Sequence, residues 1–456
     1  MSMLHLSELA TIVAGRLHGD DVVFDGVSTD TRTLRAGDLF VALRGPNFDG
    51  HDYLDMARAR GAVGALVERD GTGGLPAVVV DDVLRGLGAL GRAWRERCHA
   101  RLIAVTGSNG KTTLKEMLAA ILARHGSVLA TRGNLNNDIG VPLTLSRLRD
   151  EAFAVIEMGA NHPGEIDYLT RLAQPDVVVL NNAGRAHLEG FGSVEGVARA
   201  KAEIVNGLHA DGVFVFNADD AFAPLWRELG ARFTQRTFGV EQAADVSSPR
   251  DQYRVVWDDH RFQARFPVHC KQGDIELNLQ LAGEHNRMNA LAAITAALAV
   301  GADLAQAASA LAALVPVPGR LCPLAGINGA RLVDDSYNAN PDSVIAALRV
   351  LASAPGRRTL VLGDLAELGE DAVALHRQLG ERASESGIDR LLTVGELSAH
   401  AAEAFAGSHQ QFTTREELTA QLHKELSQDD SVLIKGSRSA RMDEVVRRLQ
   451  DVEVAC

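Results

Sequence analysis

Arg101-Leu102-Ile103-Ala104-Val105-Thr106, running on into Gly107-Ser108-Asn109-Gly110-Lys111-Thr112-Thr113, is the stretch on which the reading of this chain turns. Its first six residues make a short apolar strand. A glycine turn follows, and then apolar residues recur at helical spacing: Leu114, Met117, Leu118, Ile121 and Leu122. A strand, a glycine turn and a helix in that order offer backbone N–H groups and a helix N-terminus to an oxyanion. Lys111 can reach outer phosphates, and the Thr112 hydroxyl can ligate a magnesium ion. The common phosphate loop, G-x-x-x-x-G-K-[ST], would put its first glycine at Val105; here the earlier glycine is Gly107. The loop therefore departs from that of GTPases and motors. The bland alternative is an ordinary strand–turn–helix junction, but Gly-Lys-Thr-Thr straight after a strand favours nucleotide binding.

Outward from this loop, strands alternate with helices. Further strands are predicted at 153–158, 176–180 and 212–216, with a helix at 193–208. Such alternation argues for a parallel sheet covered on both faces. A β-rich insertion is expected at about 240–281, with strands at 253–257 and 275–281. The Ala-rich stretch 291–314 is broken by Gly301 and carries Asp303 and Gln306, so two core-facing helices explain it better than a membrane span. Val315-Pro316-Val317-Pro318-Gly319 reads as a linker. Beyond it the alternation restarts, with strands at 331–334, 359–363, 390–394 and 431–435. Upstream of the loop, strands at 38–43 and 77–80 precede a helix at 84–97. The expected fold is α/β in three domains. These are an N-terminal mixed α/β domain (1–99), a central parallel-sheet domain (100–316) and a C-terminal Rossmann-like α/β domain (317–456). A chain of 456 residues suits that number, at about 100–200 residues per domain.

Charge narrows the function. With 46 basic and 59 acidic residues the chain carries −13, which argues against sequence-independent nucleic-acid binding. Cys98, Cys270, Cys322 and Cys456 are too scattered for a zinc site or a disulfide framework, so free thiols in a reducing cytosol are expected. Residues 1–10 lack the basic start and apolar run of a signal peptide.

Three more residues bear on chemistry. Glu157 ends the strand at 153–158, on the side of the sheet where the phosphate loop opens. It could hold a metal or simply be a polar strand end. His187 follows the strand at 176–180; a lone histidine there is more often structural than a ligand. Lys201 falls on the apolar stripe of its helix, with Val194, Val197, Ala198, Ile204, Val205 and Leu208. A buried amine needs a partner or a chemical change, unless its stem snorkels to water.

Together these stretches resemble the Mur ligase family over essentially the whole chain. The likeness continues in Gly283-Glu284-His285-Asn286-Arg287-Met288-Asn289, Pro318-Gly319-Arg320 and Asp334-Asp335-Ser336-Tyr337-Asn338-Ala339-Asn340-Pro341. Within the family, four stretches look like the member that adds D-alanyl-D-alanine. They are Gly133-Asn134-Leu135-Asn136-Asn137-Asp138-Ile139-Gly140-Val141-Pro142, the pair Asn161-His162 after Gly159-Ala160, Gly363-Asp364-Leu365-Ala366-Glu367-Leu368-Gly369 and Lys435-Gly436-Ser437-Arg438-Ser439.

The resemblance implies an ATP- and Mg²⁺-dependent ligase of the bacterial cytoplasm, expected to be a monomer that binds neither nucleic acid nor membrane. It implies that Lys111, Glu157, His187, Lys201 and Arg320 are catalytic. The loop residues Thr106, Gly107, Ser108, Asn109, Gly110, Lys111, Thr112 and Thr113 would bind ATP with Asn286, Asn289, Arg320 and Asp335. Metal would lie on Thr112, Glu157, His187 and a carbamate of Lys201. The UDP substrate would meet Ser28, Thr29, Asp30, Arg32, Asn47, Asp49, Gly50 and His51, with Asn134, Asn136 and Asn137 at its muramoyl end. Asn338, Asn340, Asp364, Ser437 and Arg438 would meet the dipeptide. Alternatives are another ligase of the group, a folate-type ligase or, furthest off, a nucleotide-dependent switch.

Overall fold

The computed structural model describes residues 2–70 and 73–451; Met1 and Cys456 fall outside the described residues. Three larger sheets follow one another along the chain. In the central sheet the phosphate-loop strand, Arg101–Thr106, lies between Phe153–Glu157 and Val177–Leu180, parallel to both. Val128–Ala130 extends the sheet on the first side, and Val213–Asn217 and Thr234–Gly239 extend it on the second. The chain thus leaves the loop strand first to one side and then to the other. That reversal opens a crevice at the carboxyl ends of the strands.

These strands are buried on both faces, as parallel strands flanked by helices must be. Lys111–Leu122, Glu284–Ala299 and Leu304–Ala312 cover one face around Met117, Leu118, Leu291 and Ile294. Val83–Arg95, Gly140–Leu145 and Glu165–Ala173 cover the other. Val83–Arg95 is upstream of the loop strand, yet its Leu87, Leu90 and Trp94 share one core with Leu145, Ile166 and Leu169. The N-terminal sheet (Gly26–Ser28, Asp38–Val41, Gly64–Val67, Ala77–Val79 and Arg16–His18) is therefore packed continuously onto the central one.

Two local features refine the expectations. The predicted helix 193–208 is α-helical only over Val194–Ala202 and tightens to a 3-10 turn at Glu203–Gly207. There the Thr170 hydroxyl donates to the Ile204 carbonyl (2.7 Å), and Gly207 packs directly on the Thr170 backbone. The β-rich insertion continues the central sheet as its antiparallel edge. Val246–Ser247 pairs with Thr234–Gly239, and the ten-residue strand Arg261–Cys270 continues outward. Pro267 argues against this strand in the sequence, although Phe262, Ala264, Phe266 and Val268 alternate inward with polar residues between them.

Residues 315–319 are neither helix nor strand, and Val315 is 71% exposed. The third sheet orders Cys322–Ala325, Arg331–Asp335, Asp430–Lys435, Arg357–Gly363, Arg390–Val394 and Ser408–Phe412, all parallel after the first pair. Its core takes in Phe262 from the hairpin of the central sheet, and Trp257 Nε1 donates to Ser353 Oγ at 3.1 Å. An apolar joint therefore ties the third sheet to the edge of the second.

Candidate active site

The phosphate loop is held by a segment remote in sequence. Ser108 N donates to the Asn182 carbonyl (3.0 Å), and Asn109 N to Asn182 Oδ1 (2.9 Å). The side-chain amides of Asn181 and Asn182 donate back to the Asn109 carbonyl at 3.1 and 3.0 Å. Neither asparagine was assigned a role from sequence; their place at the end of Val177–Leu180 was the only signal. Asn289 Oδ1 accepts from Asn181 (2.7 Å), Asn289 donates to Asn286 Oδ1 (3.2 Å), and Asn286 donates to the Ala282 carbonyl (2.8 Å). Asn286 and Asn289 thus brace the loop from the helix Glu284–Ala299 while lining the cleft.

Gly110 has φ 79° and caps the helix Lys111–Leu122. A Cβ there would lie 2.4 Å from Asn289 Oδ1, and the left-handed backbone adds strain for any L side chain. Gly110→Ala is therefore expected to weaken ADP binding at least about tenfold, an estimate from roughly 1–3 kcal/mol of local strain. Titration calorimetry checks it, and wild-type affinity would show that the loop tolerates the shift.

Lys111 Nζ donates to the carbonyls of Gly107 (2.7 Å) and Ser108 (3.3 Å), folded back onto its own loop. Burial pushes its amine below the ordinary lysine range; the Glu157 charge opposes that and Arg320 adds to it. Thr106 is fully buried, its hydroxyl donating to the Met158 carbonyl (2.9 Å), so its side chain shapes the strand end. Glu157 is 2% exposed; Oε1 accepts from Asn136 Nδ2 (2.8 Å), and Oε2 has no hydrogen-bond partner among the described residues. A buried carboxylate oxygen without a donor is costly unless a cation reaches it.

His187 has φ 54°, a strained backbone for its type. Its Nδ1 lies 2.5 Å from Glu367 Oε2 on the third unit, an ion-pair approach without hydrogen-bond alignment. Burial lowers the imidazole's pKa, and Glu367 opposes the shift. Lys201 is 1% exposed. Its Nζ donates to the Ala160 carbonyl (3.1 Å) and stands 5.3 Å from the Phe191 ring centre. Burial, then the Lys111 charge, push its amine down to about 7 against the pull of Glu165 and Glu203. Snorkelling is excluded by this burial. Among the described residues no three His, Cys, Asp or Glu side chains form a ready-made metal cluster.

The third unit supplies the opposite wall. Arg320 Nη2 donates to Thr112 Oγ1 (3.2 Å), and its guanidinium stacks 4.1 Å from the Tyr337 ring centre. Asp335 pairs with buried Lys435 (2.6 Å) and accepts from Leu321 N (3.1 Å); Lys435 was not singled out for this from sequence. Asn340 caps the helix Pro341–Ala352 and also donates to Asn109 Oδ1 (2.7 Å). Asn338 Oδ1 accepts from Ala339 N, with Arg438 N at 3.3 Å. Ser437 Oγ donates to the Asp364 carbonyl (2.6 Å). Asp364 itself lies behind the wall, its carboxylate accepting from Ser398 N (2.7 Å).

The cleft so formed has a volume of about 1430 Å³. Asn134, Asn136 and Asn137 line it, with Asp82 and Arg85 from the N-terminal unit. Ser28, Thr29, Asp30, Arg32, Asn47, Asp49, Gly50 and His51 do not, and Ser28, Gly50 and His51 are buried. Asp30 pairs with Arg32 (2.7 Å) and Asp49 with His51 Nδ1 (2.6 Å). Glu68 N donates to His51 Nε2 (3.0 Å), which fixes the neutral tautomer with its proton toward Asp49.

Residues 105–297 match the Mur ligase middle domain, residues 319–438 the Mur ligase glutamate ligase domain, and residues 23–125 the Mur ligase family catalytic domain. The UDP-N-acetylmuramoyl-tripeptide–D-alanyl-D-alanine ligase of Escherichia coli (strain K12) is 45% identical over 455 residues, covering 99% of both chains. This chain belongs to the Mur ligase family. Among solved Mur ligases, the crystal structure of MurF from Acinetobacter baumannii superposes with TM-score 0.89 at 36% identity, over 98% of this chain and 99% of that one. MurF ligase from Thermotoga maritima, solved in complex with ADP, superposes with TM-score 0.82 at 29% identity, over 93% and 96% of the two chains. The N-terminal, middle and C-terminal domains of a Mur ligase are thus all present, on mostly parallel mixed α/β sheets.

Proposed function

We propose that this chain joins D-alanyl-D-alanine to UDP-N-acetylmuramoyl-tripeptide, making one amide bond for each ATP converted to ADP and phosphate. The observation that carries this reading is one cleft, floored by the phosphate loop, walled by the central and C-terminal domains, and reached from the N-terminal domain by Asp82, Leu84 and Arg85. The full-length relative named for that reaction selects the substrates. We read the domains as 1–99 for the UDP substrate, 100–316 for ATP and 317–456 for the dipeptide. One chain supplies every wall, so a monomer suffices. No described helix is long and apolar enough to cross a membrane, and ATP and UDP-linked substrates are supplied in the bacterial cytoplasm.

A free carboxylate is a poor acyl donor because hydroxide or oxide would have to leave. A carboxylate oxygen of the tripeptide attacks the γ-phosphorus and ADP departs, leaving an acyl phosphate. The dipeptide amine then attacks the acyl carbon. The tetrahedral adduct collapses with loss of phosphate, and the nitrogen gives up its proton. Positioning and charge stabilisation do the protein's share. Lys111, once drawn from the loop carbonyls, and Arg320, beside Thr112, offset the phosphates. Asn286 and Asn289 keep the loop in shape.

Magnesium fits this site: Glu157 Oε2 is buried without a partner, and Thr112 offers a hydroxyl on the same cleft. Magnesium takes few carboxylates and completes its shell with phosphate and water oxygens. Glu157, His187, Thr112 and Lys201 as a carbamate would hold it, and when bound it would neutralise charge on the phosphates. Lys201 is suited to the carbamate: its neutral amine adds to CO₂, the N–C bond forms, and a proton is lost. Asn338, Asn340, Ser437 and Arg438 would hold the dipeptide, with Asp364 supporting Ser437. Ser28, Asp30, Arg32, Asp49 and His51 would hold the uridine diphosphate end outside the cleft, with Asn134, Asn136 and Asn137 guiding the muramoyl end inward.

The test is phosphate release from ATP with UDP-N-acetylmuramoyl-tripeptide and D-alanyl-D-alanine, separately and together. Sustained release only with both is expected; release indifferent to the dipeptide would sink the assignment.

A further inference from the structure

The helix Pro341–Ala352 touches the phosphate-binding apparatus of the central sheet at its N-terminal end. Besides the Asn340–Asn109 bond, both carboxylate oxygens of Asp342 are taken by Arg185. Oδ2 accepts from Arg185 N (2.7 Å), and Oδ1 accepts from Nε (2.9 Å) and Nη2 (2.7 Å). Arg185 Nη1 donates to Gln378 Oε1 (2.9 Å), on the next helix of the same domain. Two guanidinium N–H groups converge on Oδ1 while the backbone N–H holds Oδ2, so the contact fixes orientation as well as distance. Gly184, the residue before Arg185, admits the carboxylate: a Cβ there would stand 2.9 Å from Asp342 Oδ2. Gly184 N in turn donates to Ser108 Oγ of the phosphate loop (2.9 Å). The segment 181–187 has no regular secondary structure of its own, so its position is set by side chains that grip its backbone: Asp220 at Ala183 N (2.9 Å), Ser108 at Gly184 and Asp342 at Arg185.

We propose that Arg185 and Asp342 are positioning residues, a clamp between domains that sets the phosphate loop through Gly184 and Ser108 when the C-terminal domain is docked. The proposal rests on the ligase reading above. The clamp and the Trp257–Ser353 contact sit at opposite ends of the helix Pro341–Ala352, about 16 Å apart at 1.5 Å per residue, so one contact acts as a pivot and the other as a releasable catch. Both clamp side chains are about one-third exposed (27% and 34%), which lets water replace the pair when the domain swings away. ATP would then meet a fully set loop only with the dipeptide-binding wall in place.

Kinetics of Asp342→Ala, Arg185→Ala and the double variant test the clamp, against a wild type first shown to turn over. Each single variant is expected to lose about 10- to 100-fold in kcat. The KM for UDP-N-acetylmuramoyl-tripeptide should stay within about twofold, and the double variant should be no slower than the worse single one. Arg185→Lys, which keeps the charge but not the fork, should fall between. Small-angle scattering with ADP and both substrates should show the singles more extended than wild type. Wild-type kcat in either single variant, or multiplicative losses in the double, overturns the clamp. Were Asp342→Ala to fail to fold, the same criteria would apply to Arg185→Lys and Gln378→Ala. A wild type that ignores the substrates overturns the ligase reading instead.

Discussion

Lys201→Met is expected to melt above the wild-type chain at pH 7 while losing at least about 10²–10³ in turnover, the loss typical of removing one preorganised charge-stabilising group. The two effects share a cause. The amine is 1% exposed and its pKa is pushed from 10.5 down to about 7. Between those two values the unfolded chain holds a proton that the folded chain does not, so stability rises with pH across that window. The destabilisation is complete below pH 7 and disappears above pH 10.5; at neutral pH it is of the order of a few kcal/mol. Methionine has similar length and needs neither proton nor hydration, so it removes the penalty. The variant's advantage should be widest at and below pH 7 and shrink as the pH is raised. Melting curves of the metal-free proteins at several pH values read the first effect, and coupled ATP turnover reads the second. Added bicarbonate should not revive the variant. A fully active Lys201→Met would remove the carbamate from the mechanism.

Glu157→Gln is expected to cost about 10²–10³ in kcat as well, with a higher magnesium concentration needed for half-maximal rate. The substitution is nearly isosteric and can keep the Asn136 contact through its oxygen. What it loses is charge, at a carboxylate oxygen that is buried and has no hydrogen-bond partner among the described residues. It also removes the negative charge that helps keep Lys111 protonated. The pH–rate profile should therefore show the loss of activity on the alkaline side beginning at lower pH than in wild type. A variant with a wild-type magnesium response would place the metal elsewhere.

Much of this was legible from residue order. Thr106 to Thr113 specified its own strand, turn and helix, because glycine placement and apolar spacing act within a few residues. The alternation of strands and helices gave the α/β class for the same reason. Lys201 stood out because a cation on an apolar stripe is anomalous wherever the helix packs. Where polar and apolar signals were mixed, the reading failed locally. Arg261–Cys270 was missed behind Pro267, and Ser408–Phe412, polar and almost wholly exposed, carries no apolar alternation to betray an edge strand.

The sequence by itself determined the phosphate loop, the succession of three α/β units and the family. Only the tertiary structure decided what holds the loop: Asn181 and Asn182 beneath it, Arg185 gripped by Asp342 across 157 residues of chain, and Lys435 paired with Asp335 across 100. It also kept Ser28 and His51 out of the cleft lining, and put Asp364 behind a wall that it was expected to line. The physical reason is range. Helix, turn and strand signals arise from backbone sterics and side-chain periodicity within a few residues, so they are written in sequence order. A hydrogen bond between domains depends on where two independently folded surfaces meet, which the packing of Phe262 and Trp257 into the third core sets.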